Sequence, residues 1–133
     1  MRILIVEDEP LAADRLEIML RKRIKDMDLI AVLDTVEEAT ALLQRDEQPD
    51  LAFFDIQLAD GLSFSIFEEV AADFPVIFTT AFDEYAIKAF EANAVDYLLK
   101  PFSEERFAQA IATASASSGD FNPRFLISSL DSI

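Results

Sequence analysis

The chain contains no cysteine, no histidine and no tryptophan, and only two glycines. Without cysteine there are no disulfides, thiolate metal sites or cysteine nucleophiles. Without histidine there is no Ser-His-Asp catalysis, no imidazole-bound metal and no phosphohistidine on this chain. Positive charge is scarce: 11 basic residues stand against 26 acidic ones, a formal net charge of -15. Phosphate backbones and anionic membranes repel such a segment, so direct contact with DNA or RNA is not expected of it. Long apolar runs are missing too. The run Ile3 to Val6 is stopped by Glu7 and Asp8, far short of a signal-peptide core or a membrane span. A cytoplasmic location is the expectation. What remains is carboxylate, hydroxyl, amine and backbone chemistry.

What the chain does have is a core. Apolar residues make up 52% of its 133 positions, enough for one domain with a buried interior. Twelve phenylalanines against two tyrosines mark the aromatics mainly as filling. Short apolar runs recur at Ile3 to Val6, Leu29 to Leu33, Leu51 to Phe54, Val76 to Phe78 and Val95 to Leu99. They lack period-2 alternation, which suits strands buried on both faces of a parallel sheet. Between them lie helical stripes: Ala12, Leu16 and Met19; Val36, Ala39 and Leu43; Leu62, Ile66 and Val70; Ala86, Ala89 and Phe90; Phe107, Ile111 and Ala114. Pro10 suits a first helical turn, Thr35 and Ser103 suit N-caps, and Asn93 suits a helix end. The reading is (βα)5, an α/β domain of three layers with a doubly wound parallel sheet. Right-handed crossovers leave few topologies, and strand order 2-1-3-4-5, the flavodoxin-like arrangement, is expected.

The domain is expected to span residues 1–115. Residues 116–133 read as a linker or the start of a truncated output domain, with Ser115 to Asp120 as a helix end and flexible stretch. Phe125-Leu126-Ile127 has nothing to pair with inside the domain, so it reads as a continuation or an arm that docks on a partner.

In an open α/β sheet, ligands bind beyond the C-terminal strand ends where strand order reverses. Here that edge receives Glu7 and Asp8 from strand 1, Asp55 from strand 3, Thr80 from strand 4 and Lys100-Pro101 from strand 5. Neighbouring acids repel, and a cation relieves them. Hard oxygen ligands and few acids favour Mg²⁺ with retained waters. Asp8 and Asp55 are the natural direct ligands, with Glu7 binding directly or through water. The plainer reading of Glu7 and Asp8 is that they favour the dipole of the first helix. Lys100 can neutralise an incoming phosphoryl oxygen, and Pro101 suits a cis bond. Thr80 can donate its hydroxyl to the same oxyanion. Tyr97 by itself reads as a core or edge aromatic.

Together these residues resemble a response-regulator receiver domain: Glu7-Asp8 after an apolar strand, Asp55 in Phe53-Phe54-Asp55-Ile56-Gln57, Thr80-Ala81, and Tyr97-Leu98-Leu99-Lys100-Pro101-Phe102. The resemblance covers Met1 to about Thr113. The stretch Thr79 to Glu91 is similar to receivers attached to LytTR-type DNA-binding domains. The resemblance implies that Asp55 accepts a phosphoryl group from a histidine kinase on another chain. It implies Mg²⁺ held by Glu7, Asp8, Asp55 and the backbone carbonyl of Gln57, with Lys100 on the phosphoryl group. It implies Thr80 and Tyr97 as a switch pair, Tyr97 turning into space that Thr80 vacates. Many such domains carry proline where Ala59 stands, so a looser loop is implied here. The output face would be the fourth helix, fifth strand and fifth helix. There Asp83, Glu84, Lys88, Glu91, Asp96, Glu104, Glu105 and Arg106 surround Ile87 and Phe90, a mixed rim suited to a homodimer.

Three other readings compete. A flavin-phosphate carrier wants a Ser/Thr/Gly-rich loop after strand 1, where this chain has Glu7-Asp8-Glu9-Pro10. An aspartyl-phosphate phosphatase, a true enzyme, needs a second acid where Gln57 stands. A degenerate docking module would not keep all five site residues. The expectation is therefore a signalling domain that is not an enzyme toward external substrates.

Overall fold

A computed structural model describes residues 1–45, 48–82, 84, 88–89 and 94–117. The strands are β1 (Arg2–Val6), β2 (Asp28–Leu33), β3 (Leu51–Asp55), β6 (Val76–Thr80) and β7 (Asp96–Leu99), with a two-residue pair β4 (Gln57–Leu58) and β5 (Gly61–Leu62) after β3. The helices are α1 (Pro10–Arg23), α2 (Val36–Gln44), α3 (Ile66–Glu69) and α4 (Glu104–Ser117). The large sheet is parallel throughout, in the order β2-β1-β3-β6-β7. Counting only its own five strands, this is 2-1-3-4-5, as expected.

The inner strands carry the core. Ile3 to Val6, Leu51 to Phe54 and Val76 to Phe78 are all buried, as the unbroken apolar runs require. Burying a side chain of that size contributes about 1.5–3 kcal/mol, an upper figure for real unfolded chains. Four phenylalanines interlock on one face: Phe78 meets Phe54, Phe64 and Phe67 with ring centroids 6.2, 4.9 and 5.9 Å away. Strand β2 departs from the expectation of burial on both faces. It lies at the sheet edge with one neighbour, and Val32 is exposed.

Local chemistry sets the helix ends. Pro10 occupies the first turn of α1, and Arg21, Lys22 and Arg23 favour the dipole at its other end. Thr35 caps α2, accepting from the Glu38 amide at 3.1 Å. A second cap arrives from far along the chain: Asp60 Oδ1 and Oδ2 accept from the Val36 and Glu37 amides at 2.7 and 3.1 Å. Ser103 caps α4, accepting from the Arg106 amide at 3.0 Å.

The helix expected through Leu62, Ile66 and Val70 is much shorter. A 3-10 turn at Ser63–Ser65 leads into four α-helical residues, and Leu62 sits exposed in the β4–β5 hairpin. The hairpin turns at Ala59-Asp60 and leaves through Gly61 at φ 147°, a backbone that favours glycine. Of the next expected helix, Lys88 and Ala89 are helical and Ala89 is buried. Asp83, Tyr85, Ala86, Ile87, Phe90, Glu91 and Asn93 lie outside the described residues, as does the 118–133 segment with its Phe125-Leu126-Ile127 run.

Two residues of the expected rim are not free surface charges. Asp96 is fully buried and takes both outer nitrogens of Arg106, at 3.0 and 2.5 Å. A polar group so deep is costly to bury without a partner, and Arg106 in the first turn of α4 supplies one.

Candidate functional site

Strands β1 and β3 are hydrogen-bonded neighbours, with Val6 beside Phe54. Their next residues therefore leave the sheet side by side. Carboxylate oxygens of Glu7, Asp8 and Asp55 lie within 4.8 Å of one another, the one such acidic cluster found among the described residues. Glu7 and Asp55 are buried and Asp8 is half-buried. The backbone just after Asp55 is anchored, since Ile56 donates its amide to the Thr79 carbonyl at 2.9 Å and accepts at its own carbonyl from the Ser63 amide.

Lys100 closes the group. Its amide is fixed to the Thr80 carbonyl at 2.7 Å, and the Lys100-Pro101 bond is cis. Its ammonium lies 2.8 Å from Glu7 Oε1 and 3.3 Å from Asp55 Oδ2. Glu9, to which the sequence reading assigned no role, comes within 3.7 Å of the same nitrogen. Asp8, Glu9, Asp55, Gln57, Thr80, Ala81, Phe82 and Lys100 line a cleft of about 270 Å³.

The electrostatics follow from burial. Desolvation first, then the adjacent Glu7 carboxylate, pushes Asp55 up to about 7, although Lys100 pulls the other way. Asp8 is raised by burial and by Glu7. For Lys100, burial acts downward, but the Glu7 and Asp55 carboxylates outweigh it and raise the ammonium. One ammonium thus balances part of a negative cluster that still carries excess charge. A divalent cation with oxygen preference suits the remainder, because the three clustered donors are all carboxylate oxygens.

Thr80 and Tyr97 are both buried beside this cleft. Thr80 Oγ1 accepts from the Phe82 amide at 3.2 Å, leaving its hydroxyl hydrogen able to donate elsewhere. The Tyr97 hydroxyl donates to the Phe82 carbonyl. Tyr97 is 2% exposed, and that backbone carbonyl satisfies its hydroxyl. Phe82 was missed as a site residue. It acts through its peptide groups, and no side-chain pattern signals that.

Glu7, Asp8, Asp55, Gln57, Thr80 and Lys100 are thus brought to one edge, with Tyr97 just behind Thr80 and Pro101 following Lys100. Residues 3–112 match the family model described as the response regulator receiver domain. The chain is 41% identical over 114 residues to the sensory transduction protein LytT of Bacillus anthracis, covering 84% of this chain and 46% of that one. With LytT of Enterococcus faecalis it shares 41% over 127 residues, 92% of this chain and 51% of the relative. The transcriptional regulatory protein BtsR of Escherichia coli is 38% identical over 113 residues, 84% of this chain and 46% of the relative. The chain spans about half the length of these curated relatives. The response regulatory domain of protein mrkE from Klebsiella pneumoniae superposes with a TM-score of 0.78 at 30% identity, over 90% of this chain and 98% of that one. The acid-lined sheet edge, the strand order and these likenesses agree, and the chain belongs to the receiver-domain family of two-component response regulators, on the LytT/LytR side of it.

Proposed function

We propose that Asp55 is the phosphoacceptor and that a sensor histidine kinase on another chain is the donor. The observation that carries this reading is the convergence of Asp8, Asp55 and Lys100 on one cleft, with the Glu7 carboxylate clustered beside both acids and bonded to the Lys100 ammonium. The three acids and the Gln57 backbone carbonyl are the residues for Mg²⁺, and repulsion between the buried Glu7 and Asp55 carboxylates is the reason a cation fits there. When bound, the ion offsets negative charge on the transferring group.

An Asp55 carboxylate oxygen forms the bond to phosphorus while the bond from phosphorus to the donor's leaving group breaks. The Lys100 ammonium, already at Asp55, shifts onto a phosphoryl oxygen. The Thr80 hydroxyl donates to another. Because Thr80 also accepts from the Phe82 amide, its movement shifts Phe82, whose carbonyl holds the Tyr97 hydroxyl. That chain of contacts is the switch. Gln57 offers no second acid for protonating a leaving group, so the domain catalyses only its own phosphorylation and hydrolysis.

The LytT, LytR and BtsR likenesses support a DNA-binding LytTR-type output domain under this control, in transcription regulation. With a charge of -15, DNA contact belongs to that other domain. The phosphorylated state pairs into a homodimer, and the protein acts in the cytoplasm. No helix among the described residues is long and apolar enough to cross a membrane.

The test is incubation with Mg²⁺ and a small acyl-phosphate donor, followed by mass spectrometry. One added phosphoryl group is expected, absent in Asp55→Ala and absent without divalent metal. Modification that persists in Asp55→Ala removes the assignment.

A further inference from the structure

Strand β7 is an edge strand, hydrogen-bonded to β6 alone. In a strand, the amide and carbonyl of one residue point to the same side. On an edge strand, every second residue therefore turns both groups away from the sheet, where they are a liability. Tyr97 is such a residue, and one ion pair meets both of its groups. Its amide donates to Asp96 Oδ1 at 2.7 Å, and its carbonyl accepts from Arg106 Nη2 at 3.2 Å. The same guanidinium holds the Asp96 carboxylate in a two-point contact. Asp96 is fully buried. Arg106 belongs to α4, and its own amide is the one capped by Ser103.

We propose that the Asp96–Arg106 pair is a positioning clamp: it holds the Tyr97 backbone so that the phenol stays at the Phe82 carbonyl, and it ties any movement of Tyr97 to the first turn of α4. The inference deepens the proposed function, since it rests on Tyr97 being the responding half of the switch. Neither residue touches the acceptor cleft. Both act through Tyr97. An ion pair suits this task better than an apolar contact. Its fork geometry fixes direction, and its partners sit on two different elements. Because Arg106 bonds both the Asp96 carboxylate and the Tyr97 carbonyl, moving the Tyr97 backbone draws the first turn of α4 along with it.

Tyr85 and Tyr97 are the only tyrosines and there is no tryptophan. In a Tyr85→Phe background, Tyr97 is therefore the sole source of tyrosine fluorescence, excited beyond the absorption of phenylalanine. The experiment compares this parent with Arg106→Lys and Arg106→Ala. Collisional quenching by acrylamide is measured before and after treatment with Mg²⁺ and an acyl phosphate, and mass spectrometry follows Asp55. Arg106→Lys keeps the charge opposite Asp96 but loses the fork, which covers the case in which Arg106→Ala does not fold. Circular dichroism establishes which variants are folded. The expected result is a higher quenching constant for Tyr97 in the folded variants before treatment. A diminished change on treatment is also expected, with Asp55 still modified. Folded variants whose Tyr97 stays as shielded as in the parent, and responds as fully, overturn the clamp. If the parent itself shows no modification of Asp55, or no Tyr97 response to it, the switch reading fails instead. The resting-state comparison still decides whether the pair positions Tyr97.

Discussion

Thr80 and Tyr97 hydrogen-bond opposite ends of one residue. Thr80 Oγ1 accepts from the Phe82 amide at 3.2 Å, and the Tyr97 hydroxyl donates to the Phe82 carbonyl. The two side chains are therefore coupled through a backbone unit. Thr80→Val keeps the shape but strands the Phe82 amide, and Tyr97→Phe removes the other bond. Each is expected to cost about 1 kcal/mol in urea unfolding. Thr80→Val is also expected to slow acquisition of the phosphoryl group at Asp55, read as the initial rate of mass increase.

Mg²⁺ binding favours the folded state, because only folding brings Glu7, Asp8 and Asp55 together. At a concentration 100-fold above its dissociation constant, a ligand of this kind stabilises by about 2.7 kcal/mol. The melting temperature should rise with Mg²⁺ and return to its starting value on chelation. Asp8→Asn should remove most of the rise. A melting curve indifferent to divalent metal would count against the site.

The metal-free protein should respond to pH in an unusual direction. Asp55 is pushed up to about 7 by burial and by Glu7. Between its ordinary value near 4 and that value, the folded state holds the proton more tightly than the unfolded one. Stability contributed by this group is therefore present below that window and declines as pH rises through it. Asp55→Asn should flatten the decline and raise the melting temperature at neutral pH without metal.

Asp60 predicts the opposite sign. Amide donation from Val36, with a further amide from Glu37, holds its carboxyl below the usual range. Its contribution is complete above the ordinary carboxylate value and is lost as pH falls through the depressed one. Asp60→Ala should cost at most about 1 kcal/mol, reduced by solvent screening because the side chain is exposed. The loss should shrink in acid, as measured by urea unfolding across pH.

Phe78 is fully buried against three other rings. Phe78→Ala should destabilise by about 3–5 kcal/mol. Calorimetry or urea unfolding reads this directly.

Much of this protein was legible in one dimension. The runs Ile3 to Val6 and Leu51 to Phe54 announced inner parallel strands, because a strand covered on both faces has no polar side to mark. Thr35 and Ser103 were readable caps, since a cap bonds within a single turn. Glu7, Asp8, Asp55 and Lys100 were legible as one site because ligand edges in this architecture follow from strand order. The short helix after β5 was not. The stripe Leu62, Ile66, Val70 has helical spacing, but Gly61 and the hairpin before it claim Leu62 for an exposed strand.

The sequence by itself determined the alternation of strand and helix, the set of groups available for chemistry and the edge on which they gather. Those properties depend on residue type and local periodicity. Only the tertiary structure decided which polar groups are partners. It joined Lys100 to Glu7 across 93 positions, sent Asp60 back to cap α2 across 24, and turned Asp96 and Arg106 from apparent surface charges into a buried pair at Tyr97. The physical reason is that hydrogen bonds and ion pairs act over a few ångströms of space, and separation along the chain carries little information about that distance.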